Sequence, residues 1–421
     1  MKKVCVVGLG YIGLPTASVL ASNGFQVLGV DVSTNVVDTV NKGNIHIEEP
    51  GLHTVVRAAI GSGNLRASLE PEPSDVFFLS VPTPMNDAKQ ADMSYVQKAT
   101  EAVLPHLAKG NLIILESTSP PGTCRDLIRP ILDKAGFDVG VDIFLAHCPE
   151  RVLPGRILKE LIENDRVIGG YGEQCAAAAE AIYGSFVEGD IFLTDVTTAE
   201  MVKVVENTFR DVNIALANET AVLCENLNIN FNDVARLANR HPRVNLHTAG
   251  PGVGGHCISV DPWFLIEQFP DDTKLMQRAR HRNDGMPAHV VEGVLGLIAG
   301  IASPKVAALG LAFKGNVDDM RESPSHTVVK LLQAKGIEVA VHDPYVKKSP
   351  IELASIEDCF SGADCVVLLT DHNDYKYLNP VQLAKVVRTA KLFDTRNLLD
   401  HGEWRQAGFQ VKVLGSGRLA E

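Results

Sequence analysis

The chain has 421 residues, of which 45% are hydrophobic and 21% are charged, and its formal net charge at pH 7 is -12. That length is too great for a single hydrophobic core and predicts two or three domains. The acidic balance argues against nucleic acid as a partner, and no apolar run is long enough to span a membrane. The eight cysteines lack metal-ligand spacing and the N-terminus lacks the features of a signal peptide, so we expect a cytoplasmic protein without a bound metal.

The N-terminal segment carries a dinucleotide-binding fingerprint. Residues 4–7 are apolar and run directly into Gly8-Leu9-Gly10-Tyr11-Ile12-Gly13, which opens a helix, and the next strand ends at Asp31. Glycines at this spacing allow a tight turn and a close approach of the pyrophosphate to the helix N-terminus. A carboxylate at Asp31 accepts hydrogen bonds from ribose hydroxyls and repels a 2′-phosphate. The segment therefore predicts NAD as the cofactor.

Apolar strands alternate with amphipathic helices from residue 4 to about residue 195. Strands are predicted at residues 4–7, 26–30, 76–80, 112–116 and 143–147, and this alternation is typical of βαβ units with a mostly parallel sheet. We expect residues 1–195 to form one NAD-binding domain. Thr83 and Thr118 follow successive strands at their carboxyl ends, where ligands of such sheets bind. Ordinary turn chemistry explains these two threonines equally well.

A long helix is predicted next. Thr197-Thr198-Ala199-Glu200 has the pattern of a capping box, and neither glycine nor proline interrupts the chain from there to about residue 227. Lys203, Asn207 and Arg210 share one face of this helix. Such a stripe is usually solvated, but its apolar neighbours favour a role in stabilising an oxyanion or transferring a proton. Helices continue to about residue 300 with a break at residues 283–287. Residues 196–302 are thus a predicted central helical domain, whose long helix joins the flanking domains and contacts a second subunit.

A second α/β block, residues 303–421, repeats the first in a weaker form. Strands are predicted at residues 306–311, 338–342, 364–370 and 391–395. The glycine spacing is lost in Gly310-Leu311-Ala312-Phe313-Lys314-Gly315, so cations rather than a glycine turn are expected to hold a nucleotide here. The general likeness of all parallel sheets is the alternative explanation. The predicted fold is α/β, with two Rossmann-like doubly wound domains joined by a central helical domain that contains one long spine helix.

The stretch Gly250-Pro251-Gly252-Val253-Gly254-Gly255-His256-Cys257 carries the strongest chemical signal. Four glycines in six residues allow a ligand to approach the backbone, and Cys257 follows them with Asp261 four residues later. A lone cysteine is more often inert packing than a nucleophile. The glycines and the dinucleotide fingerprint nevertheless favour a dehydrogenase that passes through a covalent thiol adduct.

These segments together resemble the UDP-glucose/GDP-mannose dehydrogenase family along nearly the whole chain. The likeness rests on the N-terminal fingerprint, the helix over residues 198–219, Gly254-Gly255-His256-Cys257 with Asp261, and Phe313-Lys314 with Arg321-Glu322-Ser323-Pro324. Within the family, Cys148-Pro149-Glu150-Arg151-Val152 and Asn239-Arg240-His241-Pro242-Arg243 are most similar to members that oxidise UDP-N-acetyl-D-mannosamine. UDP-glucose members usually carry a lysine where Val260 stands, which argues against UDP-glucose.

The resemblance implies a four-electron, NAD-dependent oxidation of the sugar C6 alcohol to a carboxylate, through a thiohemiacetal and a thioester on Cys257. Lys203 then faces the reacting oxygen, Asn207 and Asp261 orient substrate and water, and Glu150 positions the hydrolytic water. The residues implied to bind the cofactor are Gly8, Gly10, Tyr11, Ile12, Gly13, Asp31, Thr83, Thr118 and Arg321. Those implied to bind the sugar nucleotide are Arg151, Val152, Lys203, Asn207, Arg210, His241, Arg243, Gly254, Phe313, Lys314 and Arg396. A homodimer is implied as well, in which Arg243 reaches the site of the neighbouring subunit.

Three alternatives are compatible with the same residues. Oxidation of UDP-N-acetylglucosamine differs only in the configuration at C2, a distinction that the pattern leaves open. A hydroxyacid dehydrogenase that makes one hydride transfer shares the first domain and the long helix, but it needs neither the cysteine loop nor the second α/β block. An inactive sugar-nucleotide sensor is disfavoured because the whole predicted catalytic set is present.

Overall fold

The computed structural model describes residues 2–86 and 88–417, and these separate into two compact units. The N-terminal unit comprises the residues up to Glu206 together with Trp263–Gln268, and the C-terminal unit comprises Asn207–Pro262 and the residues from Phe269 onwards. The finer division into three domains stays a prediction. Within the described ranges, no helix is both long and apolar enough to cross a membrane.

The N-terminal unit is an α/β structure on one large sheet. Its elements are β1 (Lys3–Val7), α1 (Gly13–Ser22), β2 (Gln26–Val30), α2 (Thr34–Asn41), α3 (Leu52–Gly61), β3 (Leu65–Ser68), β4 (Val76–Leu79), α4 (Ser94–Val103), β5 (Leu112–Leu115), α5 (Arg129–Lys134), β6 (Phe144–His147), α6 (Ile157–Glu163), β7 (Arg166–Gly170), α7 (Glu173–Tyr183) and β8 (Ile191–Asp195). The eight strands lie in the order β3-β2-β1-β4-β5-β6-β7-β8. All neighbours are parallel except β6 and β7.

The central strands are apolar because helices cover both faces of the sheet. Every residue of β4 and β5 is buried. Phe78 packs in one apolar cluster with residues of α1, whereas its neighbour Phe77 packs in a second cluster with residues of α4. The five predicted strands are confirmed to within one residue at either end. Strands β3 and β8 escaped prediction because they are sheet edges with mixed burial, and β7 because it begins with a charged residue.

The predicted long helix is confirmed as α8 (Val196–Asn226), but its cap differs from the prediction. Asp195 caps the helix, since its carboxylate accepts the backbone N–H and the hydroxyl of Thr198 at 3.0 and 2.5 Å. Glu200 instead accepts the backbone N–H groups of Gly122 and Cys124 at 2.5 and 2.8 Å. The capping-box prediction is wrong because Asp195 supplies the cap, and Glu200 holds the loop after β5.

Three more helices follow, α9 (Phe231–Ala238), α10 (Asp261–Gln268) and α11 (Lys274–Leu297). The predicted break at residues 283–287 is wrong, because α11 continues through Gly285 and Pro287. The side-chain amide of Asn283 donates to the backbone oxygen and the carboxylate of Asp211 on α8, at 3.0 and 2.8 Å. Tertiary hydrogen bonds therefore hold the helix where local preference would end it.

The C-terminal block carries a second parallel sheet. Its elements are β9 (Lys305–Leu309), α12 (Pro324–Ala334), β10 (Glu338–His342), α13 (Ile356–Phe360), β11 (Cys365–Leu368), α14 (Pro380–Leu383), β12 (Lys391–Asp394), α15 (His401–Gln406) and β13 (Gln410–Val413). The five strands are parallel, in the order β10-β9-β11-β12-β13. The four predicted strands are confirmed to within two residues, and β13 was not predicted.

The two sheets repeat one geometry at their first turn. The N–H of Gly8 donates to Val30 O, and the N–H of Gly310 donates to His342 O, both at 2.8 Å. In each repeat the next N–H donates to the aspartate that follows the second strand. These equivalent bonds confirm the predicted fold of two Rossmann-like domains with a long helix in the chain between them.

Candidate active site

The turn after β1 has the geometry of a dinucleotide-binding loop. Gly8 has a φ of +94°, and a Cβ on Gly13 would lie 1.8 Å from the carbonyl oxygen of Gly8, so both positions need glycine. A Cβ on Gly10 would meet no protein atom within 4 Å, which leaves this side of the turn open. Tyr11 and Ile12 are partly exposed in the same turn. These residues fit a pyrophosphate at the N-terminus of helix α1.

Asp31 follows β2 and is partly exposed. Its two carboxylate oxygens accept the backbone N–H groups of Leu9 and Ser33 at 3.1 and 2.9 Å, which fixes the direction of the side chain beside the turn. Each oxygen has a second acceptor position, so the carboxylate can also bind ribose hydroxyls. Residues 32–36 contain no cation to offset its repulsion of a 2′-phosphate. The geometry fits NAD.

Thr83 and Thr118 come together at the carboxyl ends of the neighbouring strands β4 and β5. The hydroxyl of Thr83 donates to the backbone oxygen of Thr118 at 2.7 Å, and both residues are partly exposed. Ser117 fastens the same loop, since its hydroxyl donates to Val81 O at 2.7 Å. Two residues implied to bind the cofactor therefore share the edge of the sheet at which ligands of this fold bind.

Glu150 lies after β6 and is 6% exposed. One carboxylate oxygen accepts the backbone N–H of Arg151 at 2.7 Å, and the other accepts Nη1 of Arg166 at 2.7 Å. The Arg151 side chain forms an ion pair with Glu206 at 2.6 Å, and Val152 beside it is partly buried. The structure thus presents Glu150 as an oriented carboxylate with a dedicated cation partner.

The predicted face of α8 carries three polar side chains in different surroundings. Lys203 is half-buried, Asn207 is buried and Arg210 is exposed. The Asn207 side-chain amide donates to the Asp261 carboxylate at 2.6 Å, and both residues are buried. The structure therefore brings Asn207 and Asp261 together and holds the carboxylate in one direction.

Cys257 differs from every other cysteine of the chain. It is partly exposed, whereas the other seven are buried, and none of the eight, all within the described residues, forms a disulfide. Burial raises the pKa of Cys5 and Cys148 to about 12, which makes such thiols inert near neutral pH. The backbone oxygen of Cys257 accepts the N–H groups of Val260 and Asp261 at 3.0 and 2.8 Å. This places Cys257 one turn before α10 and its buried Asp261.

The glycines before Cys257 permit close packing, a need that was not predicted from the sequence. A Cβ on Gly254 would lie 2.7 Å from Glu322 O and 2.8 Å from the Cβ of Phe313. A Cβ on Gly255 would lie 2.9 Å from the ring of Phe313, and Gly255 has a φ of +82°. The Gly255 N–H also donates to Arg321 O at 3.0 Å. The loop thus lies directly on the segment that follows β9, and its glycines permit that contact.

A buried polar network holds the start of the same loop. The N–H of Gly250 donates to Asn218 Oδ1, and the Asn218 amide donates to Asn283 Oδ1, each at 2.9 Å. Asn283 bonds Asp211, which also accepts Arg280 Nη1 at 2.5 Å. Burial raises the pKa of Asp211, although the charge of Arg280 opposes this. The network ties the cysteine loop to α8 and α11.

The cations of the second sheet gather on loops after β9 and β12. Lys314 is exposed, and the N–H of the following Gly315 donates to Asp371 Oδ1 at 3.2 Å. Arg396 forms an ion pair with the same carboxylate at 2.9 Å. A Cβ on Gly250 would lie 2.7 Å from Arg396 Nη1, so this arginine borders the cysteine loop. The remaining implied cations stay at the surface, where Arg321 pairs with Asp319 and both His241 and Arg243 are exposed.

Comparison with known protein families finds matches in three successive parts of the chain. Residues 2–187 match the NAD binding domain of the UDP-glucose/GDP-mannose dehydrogenase family, residues 197–285 match its central domain, and residues 307–401 match its UDP binding domain. The chain belongs to the UDP-glucose/GDP-mannose dehydrogenase family. The Asn207–Asp261 pair and Cys257 lie within the match to the family's central domain, and Lys314 and Arg396 lie within the match to its UDP binding domain.

Several relatives match this family member over almost the whole chain. The UDP-N-acetyl-D-mannosamine dehydrogenase of Methanococcus maripaludis is 48% identical over 99% of this chain and 98% of its own. The NDP-N-acetyl-D-galactosaminuronic acid dehydrogenase of Ralstonia nicotianae is 47% identical over 94% and 96%. The solved structure of the UDP-D-ManNAc dehydrogenase of Pyrococcus horikoshii has a TM-score of 0.94 at 41% identity, with 99% of each chain covered.

Sequence reasoning missed three partners of the predicted residues or their loops, of which Arg166 and Arg280 are buried and Asp371 is partly exposed. Arg166, Arg280 and Asp371 each fix a predicted residue or its loop, and none was singled out. Arg166 carried a readable signal, because a charged residue beside an apolar segment, in Asp165-Arg166-Val167-Ile168-Gly169-Gly170, needs a partner when buried. The partners of Arg280 and Asp371 are distant in sequence, and no local pattern identifies them.

Proposed function

We propose that this family member oxidises the C6 alcohol of UDP-N-acetyl-D-mannosamine to the carboxylate, with two NAD per turnover. Support comes from the full-length likeness to enzymes named for that substrate. The observation that carries the proposal is the partly exposed Cys257 thiol, one turn before an Asp261 carboxylate that Asn207 holds in place. A cytoplasmic location is part of the proposal, because a thiol nucleophile needs a reducing compartment.

Cys257 supplies the covalent chemistry. Its thiolate adds to C6 of the aldehyde formed in the first oxidation, which gives a thiohemiacetal. The second oxidation converts this to a thioester, and one water molecule then releases the carboxylate and returns the thiol. NAD, when bound at the turn after β1, accepts the hydride of each oxidation. The balance is one alcohol, one water and two NAD+ consumed for one carboxylate, two NADH and three protons formed.

The neighbouring polar residues handle charge and water. Lys203 stabilises the alkoxide and the later oxyanion, and the loss of one such donor costs about 3–4 kcal/mol in the transition state. Asn207 and Asp261 orient the substrate oxygen and the ammonium group. Glu150 holds the hydrolytic water, a role that suits a carboxylate already fixed by two hydrogen bonds.

The exposed cations support recognition of the diphosphate and the sugar. Lys314, Arg396 and Arg210 are the main candidates in the C-terminal unit, and an arginine fork suits a phosphate oxygen pair. Arg151 joins them when its ion pair with Glu206 opens. Arg321 is proposed to act on the cofactor side.

We infer a homodimer through α8. Phe209, Leu216 and Leu223 lie one heptad apart on this helix and are 63%, 51% and 54% exposed. A stripe of large apolar side chains on one helix face is typical of a protein–protein contact. The exposed Arg243 is then available to the site of the neighbouring subunit.

A substrate panel tests the proposal. The purified protein receives UDP-N-acetyl-D-mannosamine, UDP-N-acetylglucosamine, UDP-N-acetylgalactosamine or UDP-glucose, and NADH is followed optically. We expect two NADH per UDP-N-acetyl-D-mannosamine and a sugar-nucleotide mass on Cys257 after a mid-cycle quench. One NADH per substrate would support the single-hydride alternative, and a preference for UDP-N-acetylglucosamine would replace the proposed substrate. Cys257→Ala should abolish acid formation while NAD binding persists, whereas Cys175→Ala, a change at a buried thiol of α7, should not.

A further inference from the structure

Five buried side chains form a polar cluster inside the N-terminal unit. They are Glu116, Cys148, Glu150, Arg166 and Tyr183, with exposures of 2%, 0%, 6%, 1% and 0%. Charged groups at such depth are costly unless each has a partner. Only Glu150 has a place in the proposed chemistry, so the other four need an explanation of their own.

Arg166 is built into this cluster by three contacts. Nη1 donates to Glu150 Oε2 at 2.7 Å, and Nη2 donates to Leu161 O at 2.9 Å. The guanidinium group also lies 5.6 Å from the centre of the Tyr183 ring. A planar fork fixed at both ends holds the Glu150 oxygen in one place, which a flexible lysine would do less well.

Glu116 is the second carboxyl of the cluster, and it lies under the dinucleotide-binding turn. It accepts the hydroxyls of Ser80 at 2.5 Å, of Thr16 on α1 at 3.3 Å and of Tyr183 at 3.4 Å. The Cβ of Ser80 lies 3.2 Å from the point that a Cβ on Gly13 would occupy. Among the residues that the structure describes, the side chains that donate hydrogen bonds to the Glu116 carboxyl are these three hydroxyls, and no arginine or lysine bonds it directly.

The charges of the cluster decide which carboxyl is ionised. One guanidinium faces two buried carboxyls, and two carboxylates in such a place cannot both ionise cheaply. Glu150 holds the direct bond to Arg166, so Glu116 is the carboxyl that more readily takes up a proton. In agreement, burial and the charge of Glu150 raise the pKa of Glu116 to about 7.

The remaining groups that face the two carboxyls keep one charge state near neutral pH. The end of β6 supplies Cys148, whose pKa burial raises to about 12, and α7 supplies Tyr183, whose pKa burial raises well above its ordinary value. Burial alone would lower the pKa of Arg166, but the charge of Glu150 raises it overall. Helix α1 and the end of β4 contribute hydroxyls only.

We propose that Arg166 is a positioning residue for the hydrolysis of the thioester, which keeps the Glu150 carboxylate fixed in direction and paired with a cation beside the second buried carboxyl, Glu116. This inference rests on the proposed role of Glu150. Without Arg166, two carboxyls share one buried site with no guanidinium bonded to either, and they repel each other whenever both are ionised. Removal of the second carboxyl as well relieves that repulsion. The two carboxyls together therefore predict that loss of Arg166 slows thioester hydrolysis in a pH-dependent way, and that removal of Glu116 partly restores the rate. A purely structural role for Arg166 would produce neither effect.

The test compares Arg166→Met, Arg166→Lys and the double variant Arg166→Met/Glu116→Gln with wild type. Release of the acid in a single turnover is followed by the loss of the adduct mass on Cys257, beside the first burst of NADH. We expect Arg166→Met to slow acid release roughly 100-fold at neutral pH, the lower end of what a positioned acid–base group contributes. Its rate relative to wild type should rise with pH, while the NADH burst changes little. Arg166→Lys should retain part of the rate, and the double variant should exceed Arg166→Met at neutral pH.

Arg129→Met is the matched control, because Arg129 lies 5.2 Å from the centre of the Tyr171 ring and bonds its hydroxyl without contacting Glu150. The inference would be overturned if the rate of acid release relative to wild type were independent of pH in both Arg166→Met and Arg166→Lys. A double variant that releases acid no faster than Arg166→Met would overturn it as well. If Arg166→Met does not fold, the pH slope of Arg166→Lys decides in the same way. A wild-type enzyme that forms no adduct and no second NADH overturns the proposed function and this inference together.

Discussion

Alanine at Gly255 tests whether packing of the glycine loop positions the nucleophile. The φ of +82° costs a non-glycine residue about 1–2 kcal/mol, and the new Cβ would lie 2.9 Å from the Phe313 ring, an overpacking that costs about 1–3 kcal/mol. The native loop conformation would therefore lose roughly 2–5 kcal/mol. Gly254→Ala lacks the positive φ but meets Glu322 O at 2.7 Å, so its cost is the overpacking alone.

The loop should relieve the clash in Gly255→Ala by moving, because it is short and packs on one side against the segment that follows β9. A shift of about 1 Å at Cys257 costs on the order of 100-fold in rate. We expect kcat to fall that far in Gly255→Ala and less far in Gly254→Ala. Gly296→Ala is the control, since its Cβ would meet no atom within 4 Å in helix α11 and should stabilise the protein by about 0.5–1 kcal/mol.

The rate at which iodoacetamide alkylates Cys257 is a second measurement of the loop's conformation, and it needs no substrate. The other seven cysteines are buried, so the early alkylated peptide should be the one that contains Cys257. The alkylation rate should change in Gly255→Ala and stay constant in Gly296→Ala. If Gly255→Ala keeps the wild-type kcat, alkylation rate and melting temperature, the packing explanation of the glycines is refuted.

Three further outcomes are expected. Arg280→Met leaves Asp211 buried without its cation and should lower the free energy of unfolding by about 3–5 kcal/mol, measured by thermal unfolding. The double variant Arg280→Met/Asp211→Leu should recover most of this loss. A double variant as unstable as the single one would contradict the reasoning. Burial raises the pKa of Glu200 from its ordinary 4.5 to about 7, so the unfolded chain loses this proton first and the free energy of unfolding falls between those pH values. Glu200→Gln should flatten that part of a melting-temperature profile, and an unchanged slope would disprove the assignment. Leu216→Glu should halve the mass measured by light scattering, while Val381→Glu, at another exposed apolar residue, should not.

Local patterns were sufficient for the elements that local chemistry determines. The fingerprint turn, the predicted strands of both sheets and the long helix all depend on residues close in sequence, and the structure has them where the patterns predict. Local patterns failed where contacts between residues distant in sequence determine the structure. Pro287 lies inside α11 because Asn283 is bonded to Asp211, which is 72 residues away in sequence. No helix-ending rule contains that information.

The candidate site divides in the same way. The resemblance identified Asn207 and Asp261 separately, and the structure adds that one bonds the other. Arg166 was not singled out because its partner Glu150 lies 16 residues earlier, in the loop after β6, and only the fold brings that loop to the start of β7. The glycine loop was noticed, but its packing was not predicted, since the Phe313 ring against which Gly254 and Gly255 lie is more than 50 residues later in the sequence.

The two Rossmann-like repeats differ most at the aspartate that follows their second strand. Asp343 accepts four backbone N–H groups and Nε2–H of the fully buried His372, so no carboxylate oxygen is left for a ribose. Nδ1 of His372 accepts the N–H of Asn316, which assigns the ring proton to Nε2. His372 therefore bonds the carboxylate that could otherwise accept ribose hydroxyls, and it also holds the loop that carries Lys314. A repeat with this arrangement cannot accept ribose hydroxyls at Asp343 in the way proposed for Asp31, which agrees with the proposal that its cations, rather than its aspartate, bind the nucleotide.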